Sequence, residues 1–176
     1  MNPACAVEGE TEKDVLIIVN SYTIDLEWVR SANDAIIAQL EQQYTILSFD
    51  LDTKRLPHEQ FPEKAEQALR LIQEKSPRLV FLGDDNALVL LGSHLAEMDI
   101  PTVYFGINGN PRNYLEPAHM KMVTGVLERP LYLRSLWYMA RFMPEMENVR
   151  ILMDDSTTSR IIWKEVFHEQ SAQDIN

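Results

Sequence analysis

The chain has 176 residues, 45% hydrophobic and 24% charged, which is ordinary globular composition and long enough for one sizeable domain with a closed core. A formal net charge of −11 with no basic patch argues against a nucleic-acid backbone or an anionic membrane surface as the main partner, because binding there relies on clustered Lys and Arg. The longest apolar runs, Val15 to Val19 and Leu88 to Leu91, fall far below the roughly 20 residues that cross a bilayer, so no membrane insertion is expected, and the single cysteine, Cys5, excludes an internal disulfide framework.

Residues 1–13 read as a tail. Ala4-Cys5-Ala6 and the polar stretch behind it resemble the small-residue end of a signal peptide without its apolar part, so two expectations stand: a start upstream of Met1, or an unstructured tail. From there the chain alternates. Short β-branched runs at Val15 to Val19, Tyr44 to Phe49, Arg78 to Leu82, Thr102 to Phe105, Met122 to Val126 and Val149 to Met153 predict strands, and helical spacing fills most gaps between them. Trp28, Ala32, Ala35, Ile36 and Leu40 form one helical stripe, and Ala65, Ala68, Leu69 and Ile72 another. Pro62 and Pro130 sit where a first helical turn tolerates proline. The predicted fold class is α/β, a three-layer, doubly wound, Rossmann-like parallel sheet.

In such a sheet the loops leaving the carboxyl ends of the strands converge on a crevice where ligands bind. Here those loops are Asn20 to Thr23, Asp84-Asp85-Asn86, Gly106 to Asn110, and Thr124 to Glu128. All four are small and polar, and they hold three of the glycines, Gly106, Gly109 and Gly125. Turn chemistry alone would give each loop this composition; four of them at one rim point to a ligand site.

The succession "VLIIVNSYTIDLEWV", "FDLDTKR", "LVFLGDDNAL", "IPTVYFGINGN" and "VTGVLE", from about Val15 to Glu128, resembles the substrate-binding and sensor domains of the ABC transporter substrate-binding protein family. That family is similar to type I periplasmic binding proteins, and close relatives serve as input domains of bacterial sensor kinases. The resemblance implies two doubly wound lobes joined by a hinge, a small ligand between them, a periplasmic or extracytoplasmic location, and an ABC permease or sensor kinase as partner. Residues 14–128 would be the N-terminal ligand-binding lobe. Residues 129–176 would supply a crossover helix and only the first strand and helix of a second, truncated lobe, since a whole one needs on the order of 100 more residues.

Chemistry has thin support. There is no Gly-x-Ser-x-Gly and no P-loop, and His58, His94, His119 and His168 are scattered without ligand spacing, so no metal and no cofactor are expected. Asp50 and Asp52 superficially match the Asp-x-Asp of metal-dependent aspartyl-phosphate enzymes, which keeps such a hydrolase as a minor alternative. However, they leave the second strand, predicted toward the sheet edge. A receiver domain needs an acidic pair after the first strand, and Asn20 and Ser21 stand there instead. Non-catalytic binding of a small polar molecule is therefore expected.

By the resemblance, Ser21 and Tyr22 would hydrogen-bond and stack on the ligand. Of Asp84, Asp85 and Asn86, one carboxylate would serve the N-H groups that open the following helix, and the other would select a cationic or polyhydroxy ligand. Gly106 and Gly125 would allow close backbone approach, Asn108 offers a donor and an acceptor, and Glu128 would be a hinge residue or a contact. Asp154 to Thr157 would face Asp84 if a second lobe exists. The helix Leu131 to Met143 is apolar on more than one face. That predicts either a two-sided core helix or a homodimer formed through it and the terminal "RIIWKEVF" helix, and with it the alternative function of an oligomerisation module.

Overall fold

A computed structural model describes residues 13–128 and 131–164. Five strands, β1 (Val15–Asn20), β2 (Thr45–Asp50), β3 (Leu79–Gly83), β4 (Thr102–Ile107) and β5 (Val123–Leu127), form one parallel sheet in the order β2-β1-β3-β4-β5. Between and after them lie α1 (Glu27–Leu40), α2 (Phe61–Lys75), α3 (Asp84–Glu97), α4 (Tyr132–Phe142) and α5 (Thr157–Trp163). The α/β class is as expected, and β2 is an edge strand. The chain reverses direction between β1 and β3, so the loops that leave these two neighbours diverge and open a crevice.

Local signals set the helix ends. Pro62 occupies the first turn of α2, where its missing N-H has no partner to lose, and Ser76 ends that helix in the left-handed region at φ 45°. Ile72, Ala68, Ala65 and Phe61 recur at helical spacing on its buried side. In α1 the inward stripe is rotated from the expected one. Val29 and Asn33 are buried, Ala32, Ile36 and Leu40 half-buried, and Trp28 and Ala35 exposed.

Parallel register sorts the strand residues into two faces. Ile17, Val19, Val80, Leu82, Tyr104 and Val123 point to one face and pack with Ala65, Ala68 and Ile72 of α2 and Ala87, Leu88, Leu91 and Leu95 of α3 in a single core. The opposite face carries Ile18, Phe81, Val103 and Thr124 in one row. There Ile18 is fully buried, Phe81 and Val103 are half-buried, and Thr124 is exposed. This second face receives only α1 among the described helices, whose buried Val29 lies outside the α2/α3 core.

Two expectations need correcting. Val149 to Met153 is not a strand: the run has no regular structure and is exposed, with Leu152 95% accessible, because it joins neither edge of the sheet and unpaired backbone does not make a strand on its own. The helix of Leu131 to Met143 does form, as α4, yet none of its residues is buried, so it is not a two-sided core helix in this chain. Cys5, Pro130, His168 and the end of the "RIIWKEVF" segment lie outside the described residues.

Candidate functional site

The loop after β1 is the organising element. Ser21 is buried, donates its hydroxyl to the Gly83 carbonyl at 2.8 Å and accepts from the Ala87 N-H at 2.7 Å, so it tethers β1 to β3 and serves the opening turn of α3. Thr53 donates both its N-H and its hydroxyl to the Ser21 carbonyl, and the Asn86 amide donates to the Thr53 hydroxyl at 2.8 Å. Asp50, at the end of β2, accepts from the Asn20 amide and the Ile24 N-H, which holds the loop from its other side. Asp52 pairs with Arg55. Both members of the Asp-x-Asp sequence thus have structural work.

The adjacent carboxylates at the start of α3 take opposite directions. Asp85 turns inward and is fully buried, accepting from the N-H groups of Asn108 (3.1 Å) and Gly109 (3.0 Å) and from the Tyr114 hydroxyl (3.1 Å). It fixes the loop after β4. Asp84 sits at φ 70°, a left-handed conformation that costs a non-glycine residue on the order of 1 kcal/mol. One of its oxygens accepts from the Asp85 N-H at 2.7 Å, and its side chain faces a cleft. Burial pushes the Asp84 carboxyl up to about 7, and the neighbouring Asp85 and Glu128 carboxylates push the same way. Near neutral pH it can therefore donate or accept a hydrogen bond.

That cleft, about 430 Å³, lies at the divergence of the β1 and β3 loops and is lined by Asn20, Ser21, Tyr22, Asp84, Gly106 and Glu128, with Trp28, Val29 and Ala32 of α1 and Phe105 as its apolar wall. Its size and mixed lining suit a small molecule. Gly106 has φ 67°, the left-handed conformation that glycine adopts without penalty, and keeps this wall thin beside Asp84.

A second hollow of about 230 Å³ shares Tyr22, Trp28, Asp84 and Glu128, and is closed on its far side by Asp154, Ser156 and Thr158. The segment carrying α5 thus lies across the cleft mouth. It packs against α3, and polar contacts tie it to the rim: the Tyr22 and Thr158 hydroxyls are 2.6 Å apart, and the Lys54 ammonium stands 4.0 Å from Asp154. Burial, with the Asp84 charge beside it, raises the Tyr22 phenol to about 12, so it stays protonated. Lys54 also lies over the Tyr22 and Trp28 rings, at 5.6 and 5.8 Å from their centroids. Hydrogen bonds from Ser156 and Ser159 hold Asp154 down at about 2, hence ionised.

Of the expected contacts, Ser21, Tyr22, Asp84, Gly106 and Glu128 line the first hollow, and Asn108 joins the second. Asp85 and Asn86 do not; they are buried braces. Gly125 lies within β5, where a side chain would strike Tyr104, so it serves sheet packing. The structure adds Trp28, Phe105 and Lys54. Only Trp28 left a trace in the sequence, an aromatic at the start of a helix that follows a rim loop. Among the described residues no group of three or more His, Cys, Asp or Glu side chains converges as a metal site. No family model, curated protein or solved structure matches the chain, so the cleft itself carries the functional reading.

Proposed function

We propose that this chain binds a small polar molecule without transforming it, as a lobe of the type found in ABC transporter substrate-binding proteins and sensor input domains. The supporting observation is the cleft between the β1 and β3 loops, which joins one protonatable carboxyl, Asp84, to an aromatic wall. Asp84, Glu128 and Asp154 favour ligand groups that donate hydrogen bonds or carry positive charge, while Trp28 and Phe105 offer flat apolar surface. The segment from Asp154 to Trp163 takes the place of the first elements of a second lobe. An extracytoplasmic location and delivery to a permease or sensor kinase belong to the same reading.

Thermal-shift screening of the chain against amines, amino acids, sugars and nucleosides tests it. A native-state ligand present at 100 times its Kd stabilises by about 2.7 kcal/mol. The shift should disappear in Asp84→Ala and persist in Asp52→Ala. Absence of any stabilising compound, or a shift indifferent to Asp84, counts against the cleft. The second reading, an oligomerisation module, is favoured by the exposed apolar surface of α4.

A further inference from the structure

A parallel sheet is stable when helices cover both of its faces, and here the second face is half covered. Moving from β1 toward β5 along one row, cover falls away from buried Ile18 through half-buried Phe81 and Val103 to exposed Thr124, and Val126 on the same side of β5 is 69% exposed. At the amino ends of the strands the uncovered part deepens into a hollow of about 540 Å³ lined by Leu79, Val103 and Thr124. Beside α1, then, lies a slot the length of a strand.

The same chain holds a helix that lacks a bed. Leu131, Trp137, Tyr138, Met139 and Phe142 are all exposed on or beside α4, and no described element packs extensively against it. At 11 residues α4 is about 16 Å long, and strands of five or six residues span about 17–20 Å. Within one molecule both ends of the 132–158 segment are held at the rim. Tyr132 lines the hollow over the cleft, and Thr158 bonds Tyr22.

We propose that a second copy of this chain covers the open sheet face, each copy laying its α4 into the slot beside the other's α1. Trp137, Tyr138 and Phe142 expose 48%, 48% and 78% of their surface. With roughly 150–250 Å² available per aromatic side chain, that is on the order of 350 Å² per helix. Matched by the slot and doubled by a two-fold axis, it gives on the order of 1,400 Å², within the ~1,200–2,000 Å² of stable interfaces. The slot adjoins the cleft along Val29, Ala32 and Phe105; the inference rests on the oligomerisation reading, and sedimentation of the ligand-free chain tests it apart from the ligand reading.

Sedimentation and disulfide trapping test it. The chain should sediment at twice its mass of 20.3 kDa at about 50 μM, and Phe142→Asp, at a side chain exposed enough not to disturb folding, should return it to monomer. In a Cys5→Ser background, Val126→Cys chains mixed with Tyr138→Cys chains and oxidised should give a cross-linked heterodimer. Both positions are exposed, so these variants fold whatever the outcome. A monomer at that concentration overturns the proposal, as does a dimer indifferent to Phe142→Asp. So does a chain carrying both Val126→Cys and Tyr138→Cys that cross-links only within itself, which would put α4 over its own sheet.

Discussion

The two faces of this sheet use the same kinds of strand residue to different effect. Against α2 and α3, Val80, Leu82 and Tyr104 belong to one closed core with Leu88, Leu91 and Leu95. On the other face Phe81 and Val103, alternating with them along the same strands, remain half-accessible. Hydrophobicity alone therefore does not create a core; a second layer must arrive, and among the described residues two adjacent helices cover one face and one helix the other. The rim repeats this contrast at the scale of two residues. Asp85 belongs to the closed side and is fully bonded, while Asp84 belongs to the open side and titrates.

Leu88→Ala and Val103→Ala measure the contrast directly. Chemical denaturation should show a loss of about 3 kcal/mol for the fully buried Leu88 and about 1 kcal/mol or less for Val103. Equal costs would mean that the second face is covered in solution. If a second copy supplies that cover, the cost at Val103 should rise with protein concentration.

The paired carboxylates sharpen it further. Asp85→Asn turns an amide toward N-H donors that need an acceptor, at a cost of about 2 kcal/mol, with denaturation midpoint as the readout. For Asp84 the sign follows from its carboxyl, raised from 3.8 to about 7. The folded state holds a proton that the unfolded state has released, so stability falls as pH rises from about 4 to about 7 and the penalty is complete above that. Asp84→Asn should flatten this slope and be more stable than the parent at pH 8 but not at pH 4. A parallel pH dependence in both proteins would remove Asp84 from the account.

The smallest expected effect concerns α1, the one helix on the open face among the described residues. Asn33 is fully buried, and neither its amide nitrogen nor its oxygen finds a hydrogen-bond partner among the described residues. Replacing that unsatisfied amide with an apolar side chain of similar size should stabilise, so Asn33→Leu is expected to gain about 1 kcal/mol. A loss of stability would show that the amide is satisfied in solution.

Much of the architecture was legible before any coordinates. Five β-branched runs became β1 to β5 within a residue or two, because period-two apolar runs and helical stripes report local geometry and burial at once. The sixth, Val149 to Met153, failed because a strand needs a neighbour and no local signal reports one. At the rim, loop composition pointed to the carboxyl ends of the strands without separating residues that line the cleft from residues that brace it. Asp85 and Asn86 were indistinguishable from contacts until Asn108, Gly109 and Thr53, distant in sequence, proved to be their partners. Trp28 and Phe105 read as packing residues, yet they form the cleft's apolar wall.

Spacing and composition along the chain are enough for the α/β alternation, the acidic character, and the choice of loops that leave the carboxyl ends of the strands. Long-range packing is what turns one carboxylate to the cleft, leaves one sheet face with a single helix among the described residues, and sets α4 away from the core. Those outcomes depend on which distant segments meet, and one residue of rotation at the start of α3 is enough to turn one aspartate into the core and its neighbour into the cleft.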